Sequence, residues 1–128
     1  MIHNNNIKVI IIEDEPDLLI LYREFLLMKG YFIIFTDIKA TNILNEYKKH
    51  KPDIIILDHN LHGERNGIEA SKKVLKKFPD ASILMISASS SITQTFHSEE
   101  VFKDKRIKLL IKPIKLQIIE NYIKLLLK

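Results

Sequence analysis

The stretch Ile54-Ile55-Ile56-Leu57-Asp58-His59-Asn60-Leu61 decides how the rest of the chain is read. Four consecutive apolar residues, three of them β-branched, fit a strand covered on both faces, as the parallel strands of α/β sheets are. Asp58 ends the run. A carboxylate at the carboxyl end of a buried strand contributes little to packing, and it lies where open α/β sheets bind ligands. The stretch alone is equally compatible with an aspartate that begins a turn. What separates the two readings is how the other strands end.

Working outward, strand and helix patterns alternate. Toward the amino terminus, Ile7 to Ile12 is a β-branched run ending in Glu13-Asp14, and Glu15-Pro16-Asp17 opens a helix with proline near its first turn. Leu18, Leu21, Tyr22, Phe25 and Met28 form that helix's expected buried stripe, and Gly30 stops it. Ile20 and Leu27 fall on the opposite side, as apolar surface that the core does not explain. Tyr31 to Phe35 reads as a second strand, Thr36-Asp37 as a cap, and Ala40, Ile43, Leu44 and Tyr47 as the stripe of the next helix.

Beyond Asp58, Gly67 starts a helix with Ile68, Ser71, Val74, Leu75 and Phe78 inward, and Ala81 to Ile86 is a strand ending at Ser87. Between Ile92 and Lys105 strongly apolar residues are few, so any helix there is short or loosely held, with Ser89-Ser90-Ser91 as a cap. Ile107 to Ile111 is a fifth strand, followed by Lys112-Pro113. The last helix, from about Lys115 to Lys128, centres its apolar face on Ile118, Ile119, Tyr122, Leu125 and Leu126, opposite Gln117, Glu120, Asn121 and Lys124. Leu116, Ile123 and Leu127 form the edge of that face. Five strand–helix pairs imply an α/β fold with a parallel sheet and helices on both sides, because right-handed crossovers place them there.

The chain has 128 residues, enough for one core, with 46% hydrophobic and 28% charged residues, as in ordinary soluble domains. It has no cysteine, hence no disulfide, thiolate metal site or cysteine nucleophile. The polar start Met1 to Asn6 lacks the apolar segment of a signal peptide, and no run approaches the ~20 apolar residues that span a bilayer. A soluble, cytoplasmic protein with no membrane partner is expected. The net charge is +4 and the calculated pI near 9.2. The densest lysines, Lys72, Lys73, Lys76 and Lys77, alternate with apolar residues at helical spacing and read as a solvated face, so no direct nucleic-acid contact is expected.

In a parallel sheet the carboxyl ends share one edge, so Glu13, Asp14, Asp58, Ser87 and Lys112 converge. Carboxylates gathered there repel: at ~4 Å and an effective dielectric near ~20, each pair costs on the order of 4 kcal/mol. A cation must sit among them, and magnesium, which takes oxygen ligands and bridges carboxylates to phosphate, is the best candidate. Lys112 adds positive charge and Ser87 a hydroxyl, as needed to hold a phosphoryl group, leaving Asp58 as a nucleophile able to accept one. Plainer readings are a helix cap for Glu13-Asp14, a turn residue for Ser87 and a surface lysine for Lys112. His59 and His62 read as solvent-exposed loop residues, since no third histidine or cysteine completes a transition-metal set.

From Ile7 to the last helix the chain resembles the receiver (CheY-like) domains of two-component response regulators, in a stand-alone form. The likeness rests on an acidic pair after strand one, Ile-Leu-Asp after strand three, Ile-Ser-Ala after strand four and Lys-Pro after strand five, in that order. The resemblance implies a flavodoxin-like sheet of strand order 2-1-3-4-5 and phosphorylation of Asp58 by a histidine kinase or phosphotransfer protein. It implies that Asp14 and Asp58 bind magnesium directly, with the backbone carbonyl of Asn60 as a third ligand and Glu13 acting through water. Lys112 would pair with Asp58 or its phosphate, and Ser87 would move to bond a phosphoryl oxygen. Residues 1–6 are then a polar arm and 7–128 the receiver, with no output domain, and the domain is a phosphoacceptor rather than an enzyme. The signal would leave through a separate downstream protein or a self-dimer.

Some positions depart from the family pattern. His62 stands where proline is frequent, Gly67 comes one residue late, and Leu109 occupies the position, three before Lys112, of the usual aromatic switch. The segment between Ser87 and Lys112 is long by a few residues. Two rival readings are an unphosphorylated receiver-like binding module and, from Asp58-His59-Asn60, a small magnesium-dependent haloacid-dehalogenase-type phosphatase. In receivers the first helix commonly meets the kinase, which assigns Ile20 and Leu27 to that partner and the edge at Leu116, Ile123 and Leu127 to output.

Overall fold

A computed structural model describes residues 6–59 and 66–128. The elements run β1 (Lys8–Ile12), α1 (Pro16–Met28), β2 (Phe32–Asp37), α2 (Ile43–His50), β3 (Ile54–Asp58), α3 (Gly67–Lys77), β4 (Ser82–Ser87), α4 (Thr93–Ser98), β5 (Arg106–Ile111) and α5 (Leu116–Leu126). All strand pairs are parallel, in the order β2-β1-β3-β4-β5, so the expected flavodoxin-like topology is present. Every residue of β3 and β4 is buried, which is why both read as unbroken apolar runs.

Side chains alternate across the sheet and divide the core in two. Ile10, Ile12, Ile55, Leu57, Ile83 and Met85 pack with Ile43 of α2, Val74 and Leu75 of α3, and Phe96 of α4. Val9, Ile11, Ile54, Ile56, Leu84 and Ile86 pack with Tyr22 and Leu26 of α1 and Ile119, Ile123 and Leu126 of α5. The site is thus held on strands clamped from both sides.

Three expectations from the sequence need correction. Thr36-Asp37 does not cap a helix: both residues belong to β2, and α2 begins later, behind Asn42. Pairing with β1, which reaches Thr36 and Asp37, overrides the capping preference of those residue types. In α1 the buried positions are Tyr22 and Leu26, while Leu21 and Met28 are exposed; Ile20 and Leu27 are exposed as expected.

The third correction concerns α5. Ile123 is fully buried with Ile119 and Leu126, and Ile118 and Leu125 are the exposed apolar residues, so Ile123 forms no output surface. Glu120, expected to be solvated, is buried as well and accepts a hydrogen bond at 3.1 Å from the Tyr31 hydroxyl. A helix apolar over most of its circumference does not reveal which stripe faces inward; packing against α1 and the sheet selects it.

The helix after β4 is short, as anticipated: α4 covers only Thr93–Ser98. Ser89 caps a single 3-10 turn, Ser90–Ile92, by accepting from the Ser91 amide, and a second turn, Glu100–Phe102, follows α4. It is pinned by Phe96 and Phe102, whose ring centroids lie 5.1 Å apart.

Candidate functional site

The register of the central strands builds the site. Ile12 of β1 lies opposite Leu57 of β3, so the next residues along each strand, Glu13 and Asp58, emerge side by side at the carboxyl edge. Asp58 pairs with Ile86 of β4, and Ser87 pairs with Ile111 of β5. The amide of Lys112 then donates to the Ser87 carbonyl at 2.7 Å, which brings the lysine over the same edge. Residues far apart in sequence meet because parallel strands all end there.

Carboxylate oxygens of Glu13, Asp14 and Asp58 lie within 4.8 Å of one another, with Glu13 and Asp58 buried and Asp14 half-buried. Lys112 Nζ stands 3.1 Å from Glu13 Oε1, 3.6 Å from Asp58 Oδ1 and 3.8 Å from Glu15 Oε1. Burial pushes the Glu13 carboxyl up to about 7, helped by its hydrogen bond and repulsion with Asp58 and opposed by the Glu15 amide and Lys112. Burial weakens the Lys112 ammonium, but the hydrogen bond to Glu13 and the fields of Asp58, Glu13 and Glu15 outweigh it, so its pKa is raised and it stays charged.

The cluster fits a hard divalent cation. Its donors are all oxygens, and three carboxylates gather there beside the ammonium of a single lysine. Glu13, Asp14 and Asp58 are the residues that could hold magnesium. The remaining expected ligand, the carbonyl of Asn60, lies outside the described residues, as does His62.

The raised Glu13 pKa has a consequence for stability. Since the folded state holds this proton more tightly than the unfolded chain, the stabilisation is full below the ordinary value of 4.5 and is lost as pH rises through about 7. In the presence of EDTA the melting temperature should therefore fall across that window, and Glu13→Gln should flatten the fall. Millimolar magnesium should oppose it, because a metal favours the ionised carboxylate. Parallel pH curves for wild type and Glu13→Gln would show that Glu13 keeps an ordinary pKa.

Ser87 is buried at the end of β4, and its hydroxyl is engaged locally: it donates to the Ser89 carbonyl and accepts from the Ser89 amide, both at 3.0 Å. Leu109 is half-buried and lies away from the carboxylates, in a cavity of about 410 Å³ with Phe96, Phe102, Tyr122 and Leu125. His59, expected to be solvent-exposed, is buried, and its burial lowers the imidazole pKa. It is drawn in because α3 closes over it: the Gly67 amide donates to the His59 carbonyl at 3.0 Å.

Gly67 is a requirement the sequence did not disclose. A Cβ there would stand 2.7 Å from His59 Cα and 3.1 Å from the Asp58 carbonyl oxygen, both backbone atoms of the site strand. Gly67→Ala should cost about 1–3 kcal/mol in urea unfolding and weaken magnesium binding, because the backbone carrying Asp58 must yield. Wild-type stability and affinity in that variant would mean that α3 shifts freely. Tyr22 was also missed: read as a core residue, it places its phenol in the negative field of Glu13, Asp58 and Glu15. The only trace in the sequence is a hydroxyl-bearing residue within an otherwise apolar stripe.

A flavodoxin-like parallel sheet with an acidic cluster and a lysine on its carboxyl edge defines the class of domain. Comparison with known proteins narrows it: the response regulator receiver domain family matches residues 9–124. The chain belongs to that family, the signalling domains of two-component systems. It is 30% identical over 81 residues to the chemotaxis protein CheY of Thermotoga maritima, covering 63% of this chain and 67% of that one. It is 28% identical over 101 residues to the transcriptional regulatory protein DegU of Brevibacillus brevis, covering 75% of this chain but only 41% of that one, so it spans less than half of that relative. Among solved structures, a chain of the CheX–CheY–BeF3–Mg complex from Borrelia burgdorferi aligns with a TM-score of 0.80 at 20% identity, over 95% of this chain and 90% of that one. The response regulator TrrA of Thermotoga maritima, in complex with Mg2+ and BeF, aligns with a TM-score of 0.78 at 24% identity, over 93% and 97%. Among the described residues no helix is long and apolar enough to cross a membrane.

Proposed function

We propose that this domain accepts a phosphoryl group on Asp58, in a magnesium-dependent reaction, from a histidine kinase or phosphotransfer protein, and passes the signal on by protein–protein contact. The observation that carries this reading is the position of Asp58, buried at the end of β3, with Glu13 and Asp14 on one side and Lys112 Nζ 3.6 Å from its carboxylate. Support comes also from two similar folds described with magnesium and beryllofluoride, a group called phosphomimetic in the related RcsB structure from Salmonella enterica.

Each residue then has a task. Asp58 supplies the oxygen that attacks phosphorus. Asp14 and Asp58, with the Asn60 carbonyl, would hold the metal directly, and Glu13 would act through water. A divalent cation bound there would supply charge neutralisation for the incoming phosphoryl oxygens. Lys112 is held over the edge by Glu13 and balances the charge that accumulates on Asp58. Phosphorylation adds roughly −1.5 to −2 charge and new acceptor oxygens. Ser87 answers that change by leaving its bonds to Ser89 and donating to a phosphoryl oxygen, which releases the turn that leads into α4. The exposed Ile118 and Leu125 of α5, beside the cavity at Leu109, form the surface through which the rearrangement reaches a target or a second copy. Ile20 and Leu27 of α1 meet the kinase.

The test is incubation with acetyl phosphate and magnesium followed by intact-mass measurement. One added phosphoryl group, absent when EDTA replaces magnesium, is expected. No adduct at any donor concentration would leave the domain as an unphosphorylated binding module.

A further inference from the structure

The amino edge of the sheet, opposite the acidic cluster, carries the most exposed apolar side chains of the described residues. Met28 is 75% exposed and Phe32 58%, more than any other large hydrophobic residue there. They flank the turn from α1 to β2, Met28 as the last residue of the helix and Phe32 as the first of the strand. Backbone bonds fix that turn: the Gly30 amide donates to the Leu27 carbonyl and the Tyr31 amide to the Leu26 carbonyl, both at 3.0 Å. Gly30 takes the positive φ, 92°, that such a helix end requires. Tyr31 is buried between them. The turn thus anchors one aromatic residue in the core and holds two apolar side chains in water.

All five strands start at this edge, and α1, α2, α3 and α5 end at it, so the residues flanking them gather there. Lys8, Lys51, Lys77, Lys105, Arg106 and Lys128 outnumber Asp53, Asp80 and Asp104. Lys8 pairs in register with Phe32, so the two side chains stand on the same side of the sheet. Lys51, Lys77 and Lys128 end or follow helices, where a cation offsets the helix dipole. That role accounts for their charge but not for the apolar pair beside them. Exposed apolar residues ringed by cations mark a surface that meets an interface both apolar and negatively charged.

We propose that this edge binds the surface of an anionic lipid bilayer, with Met28 and Phe32 entering the boundary between headgroups and acyl chains and the surrounding cations facing the lipid charges. A second copy docked through the same edge would set cations against cations, and a nucleic acid would give the apolar pair nothing to enter. The attachment is peripheral and needs no spanning helix. It turns the carboxyl edge and Asp58 away from the bilayer, and it stands whether or not Asp58 accepts a phosphoryl group.

The test is co-sedimentation of the full chain with vesicles of phosphatidylcholine alone and with about one third phosphatidylserine. Binding to the second and not the first is expected, lost in ~0.5 M salt. Met28→Ser with Phe32→Ser should weaken it roughly tenfold or more, and Lys77→Glu with Arg106→Glu by a similar factor. Ile38→Ser, an exposed apolar residue beyond the opposite end of β2, should leave it unchanged. The chain has no tryptophan, so Phe32→Trp supplies a single fluorophore whose emission should shift to the blue with anionic vesicles, whereas that of Ile38→Trp should not. Absence of sedimentation with anionic vesicles, binding untouched by both double substitutions, or equal shifts at positions 32 and 38 would overturn the proposal. Binding to duplex DNA that exceeds vesicle binding and survives Met28→Ser with Phe32→Ser would make the edge a nucleic-acid surface instead.

Discussion

Asp58→Asn is expected to remove phosphoryl acceptance altogether without loosening the fold. The substitution keeps the size of the buried side chain at the end of β3 but replaces the nucleophilic carboxylate by an amide, whose oxygen is a far weaker nucleophile. Glu13 and Asp14 cannot take over. Glu13 is hydrogen-bonded to Lys112 and to the Glu15 amide, and its carboxyl is held up to about 7, so it carries a proton for part of the working range. Removing one charge from three carboxylates whose oxygens lie within 4.8 Å also relieves repulsion, so the apo variant should melt at or above the wild-type temperature. Intact mass after incubation with acetyl phosphate and magnesium, alongside a melting curve, separates the outcomes. Labelling of Asp58→Asn at the wild-type level would place the acceptor elsewhere.

The second large effect is expected at Asp14, the half-buried member of the cluster. Asp14→Ala should weaken magnesium binding by at least ten- to a hundredfold, the range usual for disturbing even the outer shell of a metal site. Stability should hold or rise, because Asp14 follows β1 without contributing a side chain to either half of the core. Titration calorimetry with magnesium and a thermal melt in EDTA test both halves of the statement. A sharp loss of melting temperature with unchanged magnesium affinity would make Asp14 a structural residue.

The fold was legible because each β strand carries its own signature. Ile54 to Leu57 is covered on both sides, and such a strand has no use for polar residues until it leaves the sheet at Asp58. The same logic marked Glu13, Asp14, Ser87 and Lys112, so the candidate site could be assembled from strand ends before any distance was known. Helix faces were less legible. α5 is apolar over so much of its surface that periodicity pointed to Ile118 and Leu125, whereas contact with α1 and the sheet turned Ile119, Ile123 and Leu126 inward. Thr36 and Asp37 have the composition of a cap, yet a strand partner was available and pairing prevailed.

By itself the sequence determined the order of elements, the parallel topology and the set of chemical groups at the carboxyl edge, since these follow from local patterns and from the handedness of crossovers. Only the tertiary structure decided how those groups act on one another. Lys112 bridges Glu13 and Asp58 because Ile111 lies beside Ser87 in the sheet, a relation between strands that no local pattern records. Gly67 is required because α3 returns to within 2.7 Å of His59 Cα, measured from the Cβ that glycine lacks. Tyr22 feels the site because α1 places its phenol in the field of carboxylates carried by other elements. Distances between residues remote in the chain are products of packing, and pKa values, steric limits and cavities depend on those distances.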